Sequence, residues 1–475
     1  MNSAQPMTYR EWAALLVASL AMFLNTVDIS ILNVALPVIE RELGVGMRLL
    51  QWLQGAYGLS YAGFLLLSGR LADLIGRRRV FLGGVALFGV ASLAGSVAPS
   101  FAILLAARAI QGLGAALMVP SAISIISTTF GDGPLRNRAL GIFSAVAATG
   151  FSSGLVSGAL ITEFASWRWV FFVNVPITAV ILGIAPTAVQ PNGVEQRKPI
   201  DLLGASLVTA GLLAIVYTIT VLGAAGAVMR PLGWLAVGVG FIAAFAFHER
   251  HHPDPLIPLS LLASPTLRTS GVAAAALLGS SFGFFFLVSM YLQFAAGFSS
   301  LEAGFALLPM SVVSALVSGM VAPRVAGRFG ARRTLKAGIV LNAIGIGLFV
   351  LCGPGHALIA TICASVVLGG LGMGLGYPAC NLAALEGIPG ELQGAVSGFQ
   401  NTCLQTGGAI GTALAATALS SFGGAFSSLA PADQGGARTL AAIVLAAFAL
   451  LGAVALSLPD RTKHPRQCVC DPRNA

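Results

Sequence analysis

Long apolar stretches separated by short polar ones run through the whole sequence. Each holds about 20 residues with few charges, which is the length of helix that crosses the hydrocarbon core of a bilayer. A helix satisfies all of its backbone hydrogen bonds internally, as a segment in lipid must. The sequence therefore predicts an all-α membrane protein with fourteen transmembrane helices. We place them at 12–36, 50–69, 80–98, 101–128, 139–162, 167–186, 201–222, 231–248, 269–292, 301–322, 334–353, 356–380, 393–420 and 437–458.

Composition supports a lipid-facing surface. Charged residues make up 9% of the 475-residue chain and hydrophobic residues 56%, whereas soluble proteins carry about 25% charged residues. The net charge of +9 would indicate nucleic acid in a soluble protein, but here we expect it to orient the spans. The partners expected are the lipid bilayer and a small-molecule substrate, with no nucleic acid and no obligate protein partner.

Orientation follows from where the positive charges lie. If the N-terminus is inside, fourteen spans put most of the 26 lysines and arginines in inner loops and tails, as the positive-inside rule requires. Both termini are then cytoplasmic. The short loops and few cysteines suit a bacterial inner membrane.

An internal repeat divides the chain. Sequence around Gly76, Gly112 and Gly154 returns, in order and at nearly one offset, around Gly330, Gly370 and Gly407. The repeat predicts that spans one to six resemble spans nine to fourteen. We expect a six-helix bundle over 1–190, a linker with two extra helices over 191–262, a second six-helix bundle over 263–458 and a tail over 459–475. Paired six-helix halves are typical of secondary transporters, whose substrate site lies between them.

Asp28 and Arg108 are charged residues inside predicted spans. Such residues are costly in lipid unless they face protein or water. At 1.5 Å per residue, both lie about 10–12 Å from the outer ends of their helices. We interpret them as facing partners, in which Asp28 exchanges protons and the pair biases the inward–outward equilibrium. The alternative is a packing ion pair in which Arg108 only anchors helices.

Two glycine-containing segments predict moving parts. The segment Gly69–Arg79 is predicted to be a loop that latches the cytoplasmic gate, and its alternative is ordinary positive-inside anchoring. The residues expected to form this latch are Gly69, Asp73, Gly76, Arg77 and Arg78. Span five carries four glycines, of which the last three share one helical face and form a groove for another helix. They are Gly141, Gly150, Gly154 and Gly158, and static packing remains the alternative to sliding.

Polar and aromatic residues within spans are candidates for substrate binding, although helix–helix hydrogen bonds would explain them equally well. They are Asn25, Gln54, Tyr57, Gln293, Asn401 and Gln405. No metal site and no cofactor is expected, and the proton gradient is the predicted energy source. The group His248, His251 and His252 is interpreted as a solvated connector because Pro253 and Pro255 follow it.

Four motifs resemble those of the major facilitator superfamily and, within it, the fourteen-span drug:proton antiporters. They are the first-helix run Asp28–Pro37, the segment Gly69–Arg79, the fourth-helix run Arg108–Ala116, and the span-five glycines followed by Ser166–Phe171. Leu155 and Ala159 stand where the span-five motif usually has Pro and Gly. The resemblance implies the major facilitator fold and links Arg108 to proton transfer.

The predicted function is a proton-coupled secondary transporter, not an enzyme, that exports small amphipathic drugs or metabolites by alternating access. Asp28 is nearly the only acid deep within a span, which favours neutral or monocationic substrates. One alternative is a proton-coupled importer or facilitator of a nutrient on the same fold. Another is a non-transporting membrane sensor, which would normally have a sizeable soluble domain.

Overall fold

The structure, a computed structural model, describes residues 7–130, 134–190, 201–222, 229–252, 264–351, 357–386, 388, 393–420 and 431–457. Within these ranges the regular structure is helical, without a β-strand. The helices are α1 Tyr9–Leu43, α2 Met47–Ile75, α3 Arg77–Ser96, α4 Phe101–Phe130, α5 Pro134–Phe164, α6 Arg168–Phe172, α7 Asn174–Ala188, α8 Leu202–Leu222, α9 Met229–His251, α10 Pro265–Phe294, α11 Ser300–Leu316, α12 Ala322–Phe329, α13 Ala331–Val350, α14 Ala357–Leu385, α15 Gln393–Ser420 and α16 Pro431–Ala455.

Each predicted span overlaps one or two of these helices. Ten stretches within the described residues are long and apolar enough to cross a membrane, so the chain is a multi-pass membrane protein. Helices α2, α5, α8 and α15 also lie on predicted spans but are not among those ten. The count of fourteen, the orientation of the termini and the bundle boundaries therefore stay predictions.

Two spans are interrupted, and a proline explains each interruption. The predicted span 167–186 is divided at Val173 between α6 and α7. Pro176 has no N–H to donate to Phe172, and its ring would clash with that carbonyl in a continuous helix. A π-helical turn, Val317–Val321, joins α11 to α12 directly before Pro323, where it accommodates the missing donor.

The prediction that Gly69–Arg79 is a loop is wrong, because its backbone is helical on both sides of Gly76. Helix α2 continues through Ile75, and α3 begins at Arg77, so that Gly76 alone makes the turn. Its φ of +92° is a conformation that residues with a Cβ rarely adopt. Gly330, its counterpart in the repeat, turns between α12 and α13 with a φ of +86°. The two halves therefore share this turn.

The two halves also repeat their helix packing. In the first half α1 packs on α5 and α3 packs on α4, and in the second half α10 packs on α15 and α13 packs on α14. Between the halves, α2 packs on α15 and α5 packs on α11. These two contacts exchange when the halves are superposed by the repeat, which is the relation expected of a pseudo-twofold axis.

The apolar cores differ at the two ends of the bundle. At the end where α1 finishes, here the Leu43 end, one cluster joins both halves and includes Leu36, Leu155, Phe285 and Leu307. At the opposite Tyr9 end, each half has a separate cluster of its own. Helix α8 lies beside α2 and α15, and α9 packs on α8. The main halves are thus sealed together by a shared core at the Leu43 end.

Candidate functional site

Asp28 and Arg108 form an ion pair inside the first half. Arg108 Nη1 donates to Asp28 Oδ2, and each side chain is 1% exposed. The depth argument therefore placed two residues that do touch. Leaving one of two such charges without the other in a dry interior costs several kcal/mol. The pair consequently behaves as a unit, in which a change to one charge acts directly on the other.

Further donors complete the surroundings of this pair. Asp28 Oδ1 accepts from Asn174 Nδ2 at 2.8 Å and from Gln111 Nε2 at 3.2 Å. Arg108 donates from Nη1 to Gln111 Oε1 and from Nε to the carbonyl of Leu53, each at 2.9 Å. The donors to Asp28 are Arg108, Gln111 and Asn174. They stabilise the charged carboxylate, because ionised oxygens accept the strongest hydrogen bonds.

A cavity between the halves adjoins this network. From the first half, its lining includes Ile29, Gln54, Tyr57, Gly58 and Arg108. From the second half, it includes Phe282, Gln405, Gly408, Ala409 and Thr412. Arg108 lines the cavity whereas Asp28 is not among the lining residues. Of the two charged side chains, Arg108 is therefore the one that borders the cavity.

Three of the six substrate candidates line this cavity, namely Gln54, Tyr57 and Gln405. Asn25 is one contact away, because the Tyr57 hydroxyl donates to Asn25 Oδ1 at 2.6 Å. Gln293 lies elsewhere and donates to Ser289 Oγ at 3.2 Å. Asn401 lies on α15, one turn before Gln405, and is half-buried. Three of the six predicted residues therefore line the cavity, a fourth contacts one of them, and two are not among these.

Sequence reasoning missed Gln111 and Asn174 as members of the site. Both are fully buried. Gln111 also donates to Ser92 Oγ at 2.7 Å, and Ser92 in turn donates to the carbonyl of Phe88. The sequence did offer a signal, because each is a polar residue inside an apolar span. Gln111 lies one turn after Arg108, and Asn174 lies two residues before Pro176. Together, residues from α1, α2, α3, α4 and α7 form the network.

The span-five glycines hold α5 tightly against α1. A Cβ on Gly154 would lie 2.8 Å from the carbonyl oxygen of Val27, and one on Gly158 would lie 2.8 Å from that of Ile31. Gly150 faces Phe23 and Thr26 in the same way. Their helical face therefore packs against the turn that carries Asp28. Gly141 lies in α5, but its surroundings are outside what the structure describes, as are those of Gly69 and Asp73.

Two further groups of residues from the sequence analysis lie at the Tyr9 end. Arg77 and Arg78 open α3 and are half-buried. His248 and His251 lie in the last turn of α9, so the interpretation of these histidines as a loop connector was wrong. The helix continues to His251 because the prolines that end it come later in the sequence. Asp201, His248 and His252 form a group whose ligand atoms lie within 4.8 Å of one another.

The family model for the Major Facilitator Superfamily matches residues 18–412. The chain belongs to the Major Facilitator Superfamily. Members of this family are transporters rather than enzymes, and the resemblance to this superfamily drawn from the four motifs is confirmed. The match runs from within α1, through the pair α8 and α9, to within α15.

Curated relatives are drug export and resistance proteins. A cephamycin export protein of Amycolatopsis lactamdurans is 38% identical over 85% of this chain and 84% of its own. A puromycin resistance protein of Streptomyces alboniger is 34% identical over 85% and 81%. A multidrug resistance protein of Mycobacterium tuberculosis is 32% identical over 89% and 77%. The chain is therefore similar, along most of its length, to proteins named for drug export or resistance.

Solved structures share the fold at low identity. The human organic anion transporter MFSD10 aligns with a TM-score of 0.64 at 17% identity, covering 95% of this chain and all of its own. The nucleoside transporter NupG aligns with a TM-score of 0.65 at 12% identity, covering 94% and 99%. These similarities establish the major facilitator architecture for the paired halves.

Proposed function

We propose that this protein exports small amphipathic molecules, neutral or singly positive, in exchange for protons. The observation that carries the proposal is the buried Asp28–Arg108 pair, in which Arg108 alone faces the cavity between the halves. A proton on Asp28 and a substrate in the cavity beside Arg108 would each alter this pair.

Protonation of Asp28 changes the charge that the cavity experiences. While Asp28 is ionised it neutralises Arg108, so that a cationic or neutral ligand meets little net charge. A proton on Oδ2 would take the position that Arg108 Nη1 occupies and would leave the guanidinium unpaired. An unpaired positive charge in a dry site repels a cation strongly. For a cationic substrate, proton binding and substrate binding then exclude each other, which is the requirement for antiport.

The same pair connects proton binding to helix movement. Asp28 lies on α1 beside the close contact of α1 with α5, and α5 packs on α11 of the other half. Release of Arg108 from Asp28 would loosen α1 relative to α4. Since the halves share an apolar core at the Leu43 end and have separate cores at the Tyr9 end, this arrangement fits one state of an alternating-access cycle.

Relatives named for drug export and antibiotic resistance favour export over nutrient import. A sensor is disfavoured because it needs no cavity between the halves. We further propose a bacterial inner-membrane location with both termini in the cytoplasm, on the basis of the charge distribution of the loops.

The test is transport into inverted membrane vesicles from a host that lacks its own drug pumps. Ethidium and puromycin serve as probes, with an imposed pH gradient as the only energy source. Wild-type protein should accumulate the probes and dissipate the gradient when a probe is added. Asp28→Asn leaves Arg108 without its counter-ion, as protonation does, so it should abolish both signals. The charge-matched control is Glu302→Gln, since Glu302 caps α11 from an exposed position.

Normal gradient-driven accumulation by Asp28→Asn would disprove the coupling role. Probe movement that is insensitive to the gradient in wild-type protein would instead support a facilitator. Absence of movement for a wider panel of amphipathic drugs, together with uptake of a nutrient, would establish the importer.

A further inference from the structure

The pair α8 and α9 carries a cluster that the transport site does not use. Asp201 lies directly before α8, His248 lies in the last turn of α9, and His252 follows α9. One ligand atom from each of the three lies within 4.8 Å of the others. His248 and His252 are four residues apart, so their side chains share one helical face. Their ring centroids are 5.2 Å apart.

Asp201 has a coordination position left over. Its Oδ1 accepts from the Gly204 backbone at 2.8 Å and lies 2.7 Å from His248 Nε2. Its Oδ2 is buried and has no hydrogen-bond partner within the described part of the chain, although the side chain is only 2% exposed. A buried carboxylate oxygen without a partner is costly, and a cation is one group that would satisfy it.

We propose that Asp201, His248 and His252 bind a divalent transition-metal ion, with Zn²⁺ as the best-fitting metal. Two imidazoles and one carboxylate are a donor set suited to zinc, cobalt and nickel rather than to magnesium or calcium. Three protein ligands with an open fourth position, taken by water, form a common zinc arrangement.

The present geometry is close to what such an ion requires. Bond lengths of about 2.0–2.1 Å place tetrahedral ligand atoms roughly 3.3 Å apart. If Asp201 binds through Oδ1, that atom and His248 Nε2, now 2.7 Å apart, must separate by roughly 0.6 Å, and the widest pair in the group, which lies within 4.8 Å, must close by up to about 1.5 Å. The His248 side chain is 25% exposed, so the ion has access from solvent. The negative end of the α9 dipole also favours a cation at this position.

A bound ion would connect the beginning of α8 to the end of α9. Helix α8 contacts both halves: Thr209 Oγ1 donates to the carbonyl of Gly63 on α2 at 2.9 Å, and Ala205 and Val208 pack with Leu67 and Phe399. The metal would therefore stabilise the helix pair that lies across the junction of the halves. This inference does not depend on the direction or energy source of transport.

The test uses full-length protein purified without a histidine tag, with Cys468→Ser and Cys470→Ser, because those tail thiols could also bind metal. Co²⁺ is titrated while its visible d–d absorption is followed, and Zn²⁺ is added as a competitor. We expect one Co²⁺ per chain, displaced by Zn²⁺. His248→Ala should weaken binding at least about 100-fold, since loss of even an outer-shell partner costs 10–100-fold.

His251→Ala is the matched control, because His251 lies on the same turn but is exposed and packs on Phe247. It should bind Co²⁺ like the parent protein, and Zn²⁺ should raise the thermal unfolding midpoint of both. His252→Ala, a half-exposed position, provides the test if His248→Ala does not fold. The proposal is wrong if the folded parent binds no Co²⁺, or if the His252→Ala or His248→Ala protein binds it as tightly as the parent.

Discussion

The guanidinium carbon of Arg108 lies 4.4 Å from the centroid of the Tyr57 ring. The ring face carries partial negative charge and attracts the cation, so Tyr57 and Asp28 both hold Arg108 in place. The Tyr57 hydroxyl is itself fixed by Asn25 on α1. A residue that lines the ligand cavity thus contacts both Arg108 and the helix that carries Asp28.

This relationship predicts different effects for two substitutions of Tyr57. Tyr57→Phe keeps the ring and removes only the hydrogen bond to Asn25, at a cost to unfolding free energy of about 1 kcal/mol. Tyr57→Leu also removes the cation–π contact, which costs about 2 kcal/mol more at a desolvated site. Thermal unfolding of the purified proteins measures the difference. The probe-to-proton ratio in vesicles should fall for Leu and stay near wild type for Phe. Equal behaviour of the two variants would contradict a role for the ring.

Removing one or both charges of the buried pair should give a non-additive result. Asp28→Asn or Arg108→Gln alone strands a charge, and each should lower the unfolding free energy by about 3–5 kcal/mol. The double variant strands none, so it should melt closer to wild type than either single variant. Neither single nor double variant should transport probes against a gradient. Additive losses of stability in the double variant would show that the two side chains do not interact in the folded protein.

Sequence alone predicted the architecture and the central pair because both depend on one-dimensional spacing. Span lengths follow from bilayer thickness, and the depths of Asp28 and Arg108 follow from the helical rise. The partners Gln111 and Asn174 were not predicted, since helices that are apolar all round give no signal for which face points inward. That direction is set by contacts between helices distant in sequence, such as Asn174 of α7 with Asp28 of α1.

The histidines at the end of α9 show a different limit. Their sequence neighbours Pro253 and Pro255 indicate a chain break, but a proline ends a helix only at or before the residue preceding it. The three or four residues before Pro253 could be helical or not on local grounds. Packing of α9 on α8 decides for the helix, and only then do His248 and His252 come together beside Asp201.

Glycine-to-alanine substitutions should distinguish a glycine needed for close helix packing from one whose position accepts a methyl group. A methyl group on Gly154 would lie 2.8 Å from the Val27 carbonyl oxygen, so Gly154→Ala must push α5 away from α1. We expect a loss of about 1–3 kcal/mol, as for other overpacked cores, and slower probe export. Gly183→Ala on α7 is the control, because a Cβ there meets nothing within 4 Å. That change should be neutral or stabilise by up to about 1 kcal/mol, and comparable loss of stability in both variants would contradict the packing role.

Substitution of two glutamines, one that lines the cavity and one that does not, should show whether ethidium binds in the cavity. Gln405 lines the cavity, whereas Gln293 on α10 donates to Ser289. If ethidium binds in the cavity, Gln405→Ala removes one polar contact worth about 1 kcal/mol, which corresponds to roughly a fivefold higher KM. Its maximal rate should change less, because Asp28 and Arg108 are untouched. Gln293→Ala should leave the KM unchanged. Initial rates of gradient-driven ethidium accumulation at several concentrations measure both quantities. A raised KM for Gln293→Ala with a normal KM for Gln405→Ala would move the binding site towards the Leu43 end.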